Sequence, residues 1–108
     1  MKVEELKLYN KYKNINNPDI ELIYIGINVY NRYCFLFKNE NYKLSFLPLI
    51  NHGLNPDKIV KDLNLEIGFF KNGHNYFKGY DIIWFSKKDI ENYFKPHLKD
   101  KINNILNR

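Results

Sequence analysis

The chain has 108 residues and a formal net charge of +5, from 17 Lys and Arg against 12 Asp and Glu. That length suits one domain over 1–108, because two halves would each bury too little apolar surface. The chain has no run of about 18 apolar residues to make a membrane-spanning helix, and its single cysteine excludes an intramolecular disulfide.

Charged residues at the start, Met1-Lys2-Val3-Glu4-Glu5, with no apolar stretch behind them, predict no signal peptide and a cytoplasmic location. Residues 3–9 have a weak helical pattern, with Val3, Leu6 and Tyr9 three apart. Lys11-Tyr12-Lys13 then leads into a loop over 14–19 closed by Asn-Asn-Pro-Asp, where short polar side chains and proline favour a turn. Residues 20–29 form the strongest predicted strand. Ile23, Ile25, Ile27 and Val29 mark one face, and Ile20, Leu22 and Tyr24 the other, as expected of a strand covered on both sides. Gly26 interrupts it and signals a bulge or bend. A turn near Tyr30-Asn31 precedes a second strand with Tyr33, Phe35 and Phe37 in alternation. Asn39-Glu40-Asn41 reads as a short loop, and Tyr42, Leu44 and Phe46 as a third strand, completing an antiparallel meander.

Asn55-Pro56-Asp57 predicts a helix over 56–63: an N-cap, a proline at the first helical position and an acid near the positive end. Strands over 65–70 and 75–85 flank Asn72-Gly73, which points to a type I′ hairpin. Gly79 is expected to break the second arm. Ser86 to Asp89 matches a capping box opening the last helix, whose apolar face runs through Ile90, Tyr93, Phe94, His97, Leu98, Ile105 and Leu106, with a kink or restart at Pro96. The order is β-β-β-α-β-β-α. It predicts an α+β domain with five mostly antiparallel strands packed on a C-terminal helix. Curling into an SH3-like or OB-like barrel is the alternative.

Catalytic signatures are thin. Cys34 lies mid-strand between aromatic neighbours and reads as a small buried hydrophobe rather than a nucleophile. His52, His74 and His97 are too far apart for a local metal motif. Ser86 reads as a cap, and Ser45 lies in a strand without a nucleophile elbow. The glycines are scattered, so no phosphate loop is formed, and no carboxylate pair suggests a two-metal site. These residues predict a protein without enzymatic activity, cofactor or metal.

Two basic-aromatic clusters are the candidate binding residues: Lys7, Tyr9, Lys11, Tyr12 and Lys13, and the hairpin set Lys71, His74, Tyr76, Lys78 and Tyr80. If Gly79 adds no bulge, His74, Tyr76, Lys78 and Tyr80 share a strand face on which lysines meet phosphates and tyrosines stack on bases. Nine Tyr, eight Phe and one Trp also exceed the obvious need of so small a core, and exposed tyrosine suits protein interfaces. The favoured expectation is a small binding protein that docks on a protein or ribonucleoprotein complex. Single-stranded nucleic acid is the alternative partner. Asn, Lys, Ile and Tyr make up half the chain and Ala is absent, which indicates AT-rich codons. Such a genome suits a phage or mobile element, whose small proteins can inhibit a host complex such as a defence nuclease. A homodimer is open through an exposed edge strand such as 42–47.

Overall fold

A computed structural model describes residues 1–96, and in it six strands form one open antiparallel sheet in the order β4-β5-β3-β2-β1-β6. The strands are β1 (Lys11–Asn14), β2 (Asn17–Ile27), β3 (Tyr33–Ser45), β4 (Ile67–Phe69), β5 (Asn75–Phe85) and β6 (Phe94–Pro96). The helices are α1 (Phe46–Asn51), α2 (Pro56–Leu63) and α3 (Lys87–Tyr93), with one 3-10 turn at Val3–Glu5. The α+β class stands. The sheet has six strands rather than five, and β4 and β6 end it on opposite sides, so it does not close into a barrel.

β2 organises two cores because its side chains alternate between the faces. Ile23 and Ile25 join Cys34, Leu36, Leu44, Phe46, Leu49, Ile59 and Phe77 on the face carrying α1 and α2. Leu22 and Tyr24 join Tyr12, Phe35, Ile90 and Phe94 on the other face, with the N-terminal Met1, Val3 and Leu6 packed against them. Gly26 has φ +117, and the β2–β3 register slips between Tyr24 and Gly26. That slip pairs Ile27 with Tyr33, so Ile27 leaves the Ile23–Ile25 face and is exposed.

The meander expected over 20–46 is corrected. Residues 39–41 do not reverse the chain, and the second and third predicted strands are one, β3. The ladder pairs Lys38 with Tyr80 and next pairs Lys43 with Lys78, so residues 39–42 bulge out of it. A tight reversal needs a left-handed residue, and Tyr9, Asn31 and Asn64 are the non-glycine residues with positive φ among those described. Residues 43–45 pair with β5 on one side.

The loop expected over 14–19 is instead a hairpin. β1 pairs with β2 through Tyr12↔Leu22 and Asn14↔Asn17. α1, not foreseen, starts at Ser45, whose side chain accepts the Leu47 N–H. α2 has the predicted bounds and the Asn55 cap. The turn after β4 is not type I′. Gly73 N–H donates to Phe70 O at 2.9 Å, and the positive φ belongs to Gly73 (+85) and not to Asn72. The capping box of Ser86 and Asp89 opens α3, which ends at Tyr93. Proline disfavours helix at the preceding residue, and 94–96 is extended as β6 beside β1. His97, Leu98, Ile105 and Leu106 lie outside the described residues.

Candidate binding surface

The N-terminal cluster is split between faces. Tyr12 is 3% exposed; its hydroxyl accepts the Lys7 N–H at 2.8 Å, and its ring meets Phe35 edge-on. Tyr9 packs on the opposite face, where its hydroxyl donates to Asp62 Oδ2 at 2.7 Å and Lys58 Nζ sits 5.7 Å from its ring centroid. Burial, first, and then the Asp62 carboxylate raise the Tyr9 phenol. The Lys58 ammonium at 2.7 Å leads in holding Asp62 below the ordinary carboxylate range. Lys11 is paired with Glu21 at 3.2 Å, Lys13 lies opposite Lys95, and Lys7 is exposed. These five side chains are therefore not one surface.

The hairpin keeps three of its five residues outermost: Lys71, His74 and Lys78 are exposed. Tyr76 pairs with Gly68, and its ring occupies the space that a Cβ on Gly68 would fill, 4.6 Å from Phe70 and with Lys43 Nζ 5.5 Å away. It is a half-buried ring that covers a glycine. Gly79 takes φ +75 at the β3 bulge, and Tyr80 and Ile82 then pack on the same core as Phe77. Odd and even positions have exchanged faces there. Tyr80 is thus turned away from Tyr76 and Lys78, and the condition for a shared face is not met.

The sheet end at the β2–β3 turn carries a surface that motif reasoning missed. Residues 22–37, 44–56 and 82–86 hold one charged side chain, Arg32, in a chain that is 27% charged. Folding brings the ends of β2 and β5 and the helix α1 together around the 28–32 turn. Val29 is 61% exposed, Tyr30 67%, Ile50 54% and Trp84 53%. Between them is a cleft of about 130 Å³ lined by Asn28, Cys34, Pro48, His52, Leu54 and Trp84, among others. Arg32 lies over the Trp84 ring, 5.2 Å from its centroid, and the Tyr30 and His52 rings meet edge-on at 5.4 Å. No carboxylate pairs with Arg32 among the described residues.

The turn is held rigidly. Asn28 is 6% exposed, and its Oδ1 accepts the N–H groups of Tyr30 (2.9 Å) and Arg32 (3.0 Å). Val29 N–H donates to His52 O at 2.9 Å. Gly53, at φ +84, leaves room for Val29: a Cβ there would be 2.6 Å from Val29 Cγ1. Cys34, 1% exposed, lies under the cleft. Burial pushes its thiol up to about 11, opposed by a hydrogen bond from the Asn28 backbone. The neutral thiol is not an activated nucleophile. The described residues contain no group of three or more His, Cys, Asp and Glu able to hold a metal ion.

The absence of charge over these three segments was readable in the sequence. Their convergence was not, because it depends on the antiparallel β5–β3 pairing and on α1. No family model, no curated protein and no solved structure matches the chain.

Proposed function

We propose that this chain is a small non-enzymatic binding protein that docks through the β2–β3 turn end on a partner protein. The observation that carries this reading is an end with a single charge, where Val29, Tyr30, Ile50 and Trp84 face solvent in an otherwise charged chain. Interface centres are depleted in charge and enriched in Tyr, Trp and Arg. A large apolar patch costs solubility unless something covers it. Arg32 is the patch's lone charge, so the complementary surface is an apolar one carrying a carboxylate that reaches the guanidinium edge not stacked on Trp84. The rigid turn lowers the entropy cost of ordering the contact residues. Docking of this kind acts by occlusion, which suits a phage or mobile-element protein that blocks a host complex such as a defence nuclease.

The test is capture from host lysate, with and without nuclease treatment, by tagged wild type, Tyr30→Ser, Arg32→Glu and the hairpin variant Lys78→Ser. The reading expects one protein to be retained by wild type and Lys78→Ser and lost by the two turn variants. Equal capture by all four overturns it. Loss with Lys78→Ser alone, abolished by nuclease, transfers the function to single-stranded nucleic acid on Lys71, His74 and Lys78.

A further inference from the structure

A second surface lies along β5 and shares only Trp84 with the exposed residues of that docking end. β4 pairs with β5 at Asn75, Tyr76 and Phe77, and Lys78 N–H still donates to Glu66 O at 3.1 Å. Beyond that point β5 continues to Phe85 with β3 on one side, and no described strand lies on the other. Residues 80–85, Tyr-Asp-Ile-Ile-Trp-Phe, therefore form an open sheet edge. Ile82 N–H is satisfied by its neighbour, donating to Asp81 Oδ1 at 2.7 Å, which places that amide on the side away from β3. Amides alternate sides along an antiparallel strand, so that of Trp84 faces the same way. Natural edges are usually short, charged or interrupted by proline. This one has a single charge and exposes Ile83 (37%) and Trp84 (53%).

We propose that this edge pairs with the same edge of a second copy, antiparallel and centred on Ile83. Three observations select that occupant and register. First, the free length matches: centring on Ile83 uses residues 81–85 of each copy and stops short of the place where Glu66 and β4 occupy the edge. A register centred on Ile82 would bring the partner's helix cap at Ser86 against Glu66. Second, opposed side chains on an antiparallel pair lie on one face. Ile82 then meets the partner's Trp84 twice on the helix-bearing face, and Ile83 meets its own copy on the other. Third, the two Asp81 carboxylates lie opposite Phe85 at the far ends of the paired segment, so like charges do not meet. The amides and carbonyls of Ile82 and Trp84 contribute about four interchain hydrogen bonds, in two of which Ile82 N–H exchanges Asp81 Oδ1 for the partner's Trp84 carbonyl. The dimer joins two six-stranded sheets into one; it takes up Trp84 and leaves Val29, Tyr30 and Ile50 free on each copy.

The contact is small, so association falls in the weak, concentration-dependent class. Sedimentation velocity of the full chain from about 5 to about 500 µM reads it. Wild type is expected to pass from monomer to dimer across that range. Ile83→Asp places two carboxylates on the two-fold axis and is expected to weaken association at least about tenfold while keeping the far-UV circular dichroism and melting temperature of a folded chain. Amide exchange on wild type gives a second readout if that variant does not fold: exchange at Ile82 and Trp84 slows as concentration rises, and exchange at Phe69 does not. A wild-type chain that remains monomeric at the highest concentration overturns the proposal and leaves the edge to a foreign strand. Concentration-independent exchange at Ile82 and Trp84, or a folded Ile83→Asp that associates like wild type, also overturns it.

Discussion

Replacing Asn28 by Ala tests whether one buried side chain sets the shape of the docking end. Asn28 Oδ1 is the acceptor for two backbone N–H groups, those of Tyr30 at 2.9 Å and Arg32 at 3.0 Å. The backbone of Asn28 also holds the turn, receiving Asn31 N–H on its carbonyl at 3.1 Å and donating to Arg32 O at 3.0 Å, and these bonds do not need the side chain. The substitution therefore removes two acceptor contacts. At about 1 kcal/mol net each, more if either N–H stays dry, the loss is about 2 kcal/mol. For a domain of this size that lowers the melting temperature by about 10 °C. Asn28→Asp keeps the acceptor geometry and is expected to lose less than half as much. Thermal and urea unfolding of the three proteins, followed by circular dichroism, measure it. A loss below about 0.5 kcal/mol for Asn28→Ala would refute the reasoning, since water would then be replacing Oδ1 and the turn would not be set from inside.

Other substitutions probe the rest of the frame. Gly68→Ala forces the Tyr76 ring off its seat and is expected to cost about 1–3 kcal/mol in urea unfolding. Ser86→Ala removes the oxygen that caps Asp89 N–H at 3.2 Å and is expected to cost about 1 kcal/mol. Cys34, 1% exposed, is expected to react with a thiol reagent only when the chain opens, so native labelling at neutral pH should be slow and should accelerate in urea. Alkaline stability follows chiefly from the two acids raised furthest. Cys34 goes from its ordinary 9.0 to about 11 and Tyr24 from 10.0 to about 12, each mainly through burial. The unfolded chain loses these protons first, so it binds fewer protons than the native one and stability falls as pH rises. The decline should begin near pH 9, and Cys34→Ala should remove its first part.

What could be read from the sequence divides by the range of the forces involved. α2 was legible because Asn55, Pro56 and Asp57 act within one turn. The start of α3 was legible because the Ser86–Asp89 box is also local. The end of α3 was not: the apolar pattern through Phe94 fits a helix, but Pro96 and the vacant edge of β1 favour extended chain. β1 was missed because it is four residues long and buries one of them, Tyr12, leaving no alternation to detect. At 39–41 the Asn-rich segment read as a turn became a bulge, because β5 supplies a partner on both sides of the irregularity and its Gly79 absorbs the mismatch. That same glycine turned Tyr80 inward and divided the predicted hairpin face.

The placement of the rings follows from the way this sheet is covered. Helices α1 and α2 shield one face and α3 with the N-terminal segment the other, so the aromatic side chains at mid-strand are enclosed: Tyr12, Tyr24, Phe35, Phe77 and Phe94 are all buried. Enclosure accounts for much of the aromatic content without invoking a partner. It does not account for Tyr30, on a turn held by a buried asparagine, or for Trp84 near the end of β5, which are exposed in a neighbourhood whose one charge is Arg32. Stability would be served as well by lysine or asparagine at those positions; the opposite hairpin exposes Lys71 and Asn72, with the Phe69 ring exposed beside them. The case for docking therefore rests on position rather than on number. Phe69 is as exposed, at 68%, but stands beside Lys71 on the far hairpin; Tyr30 and Trp84 are the exposed rings that share one end with Val29, Ile50 and a single charge, and a partner surface accounts for that grouping better than core packing does.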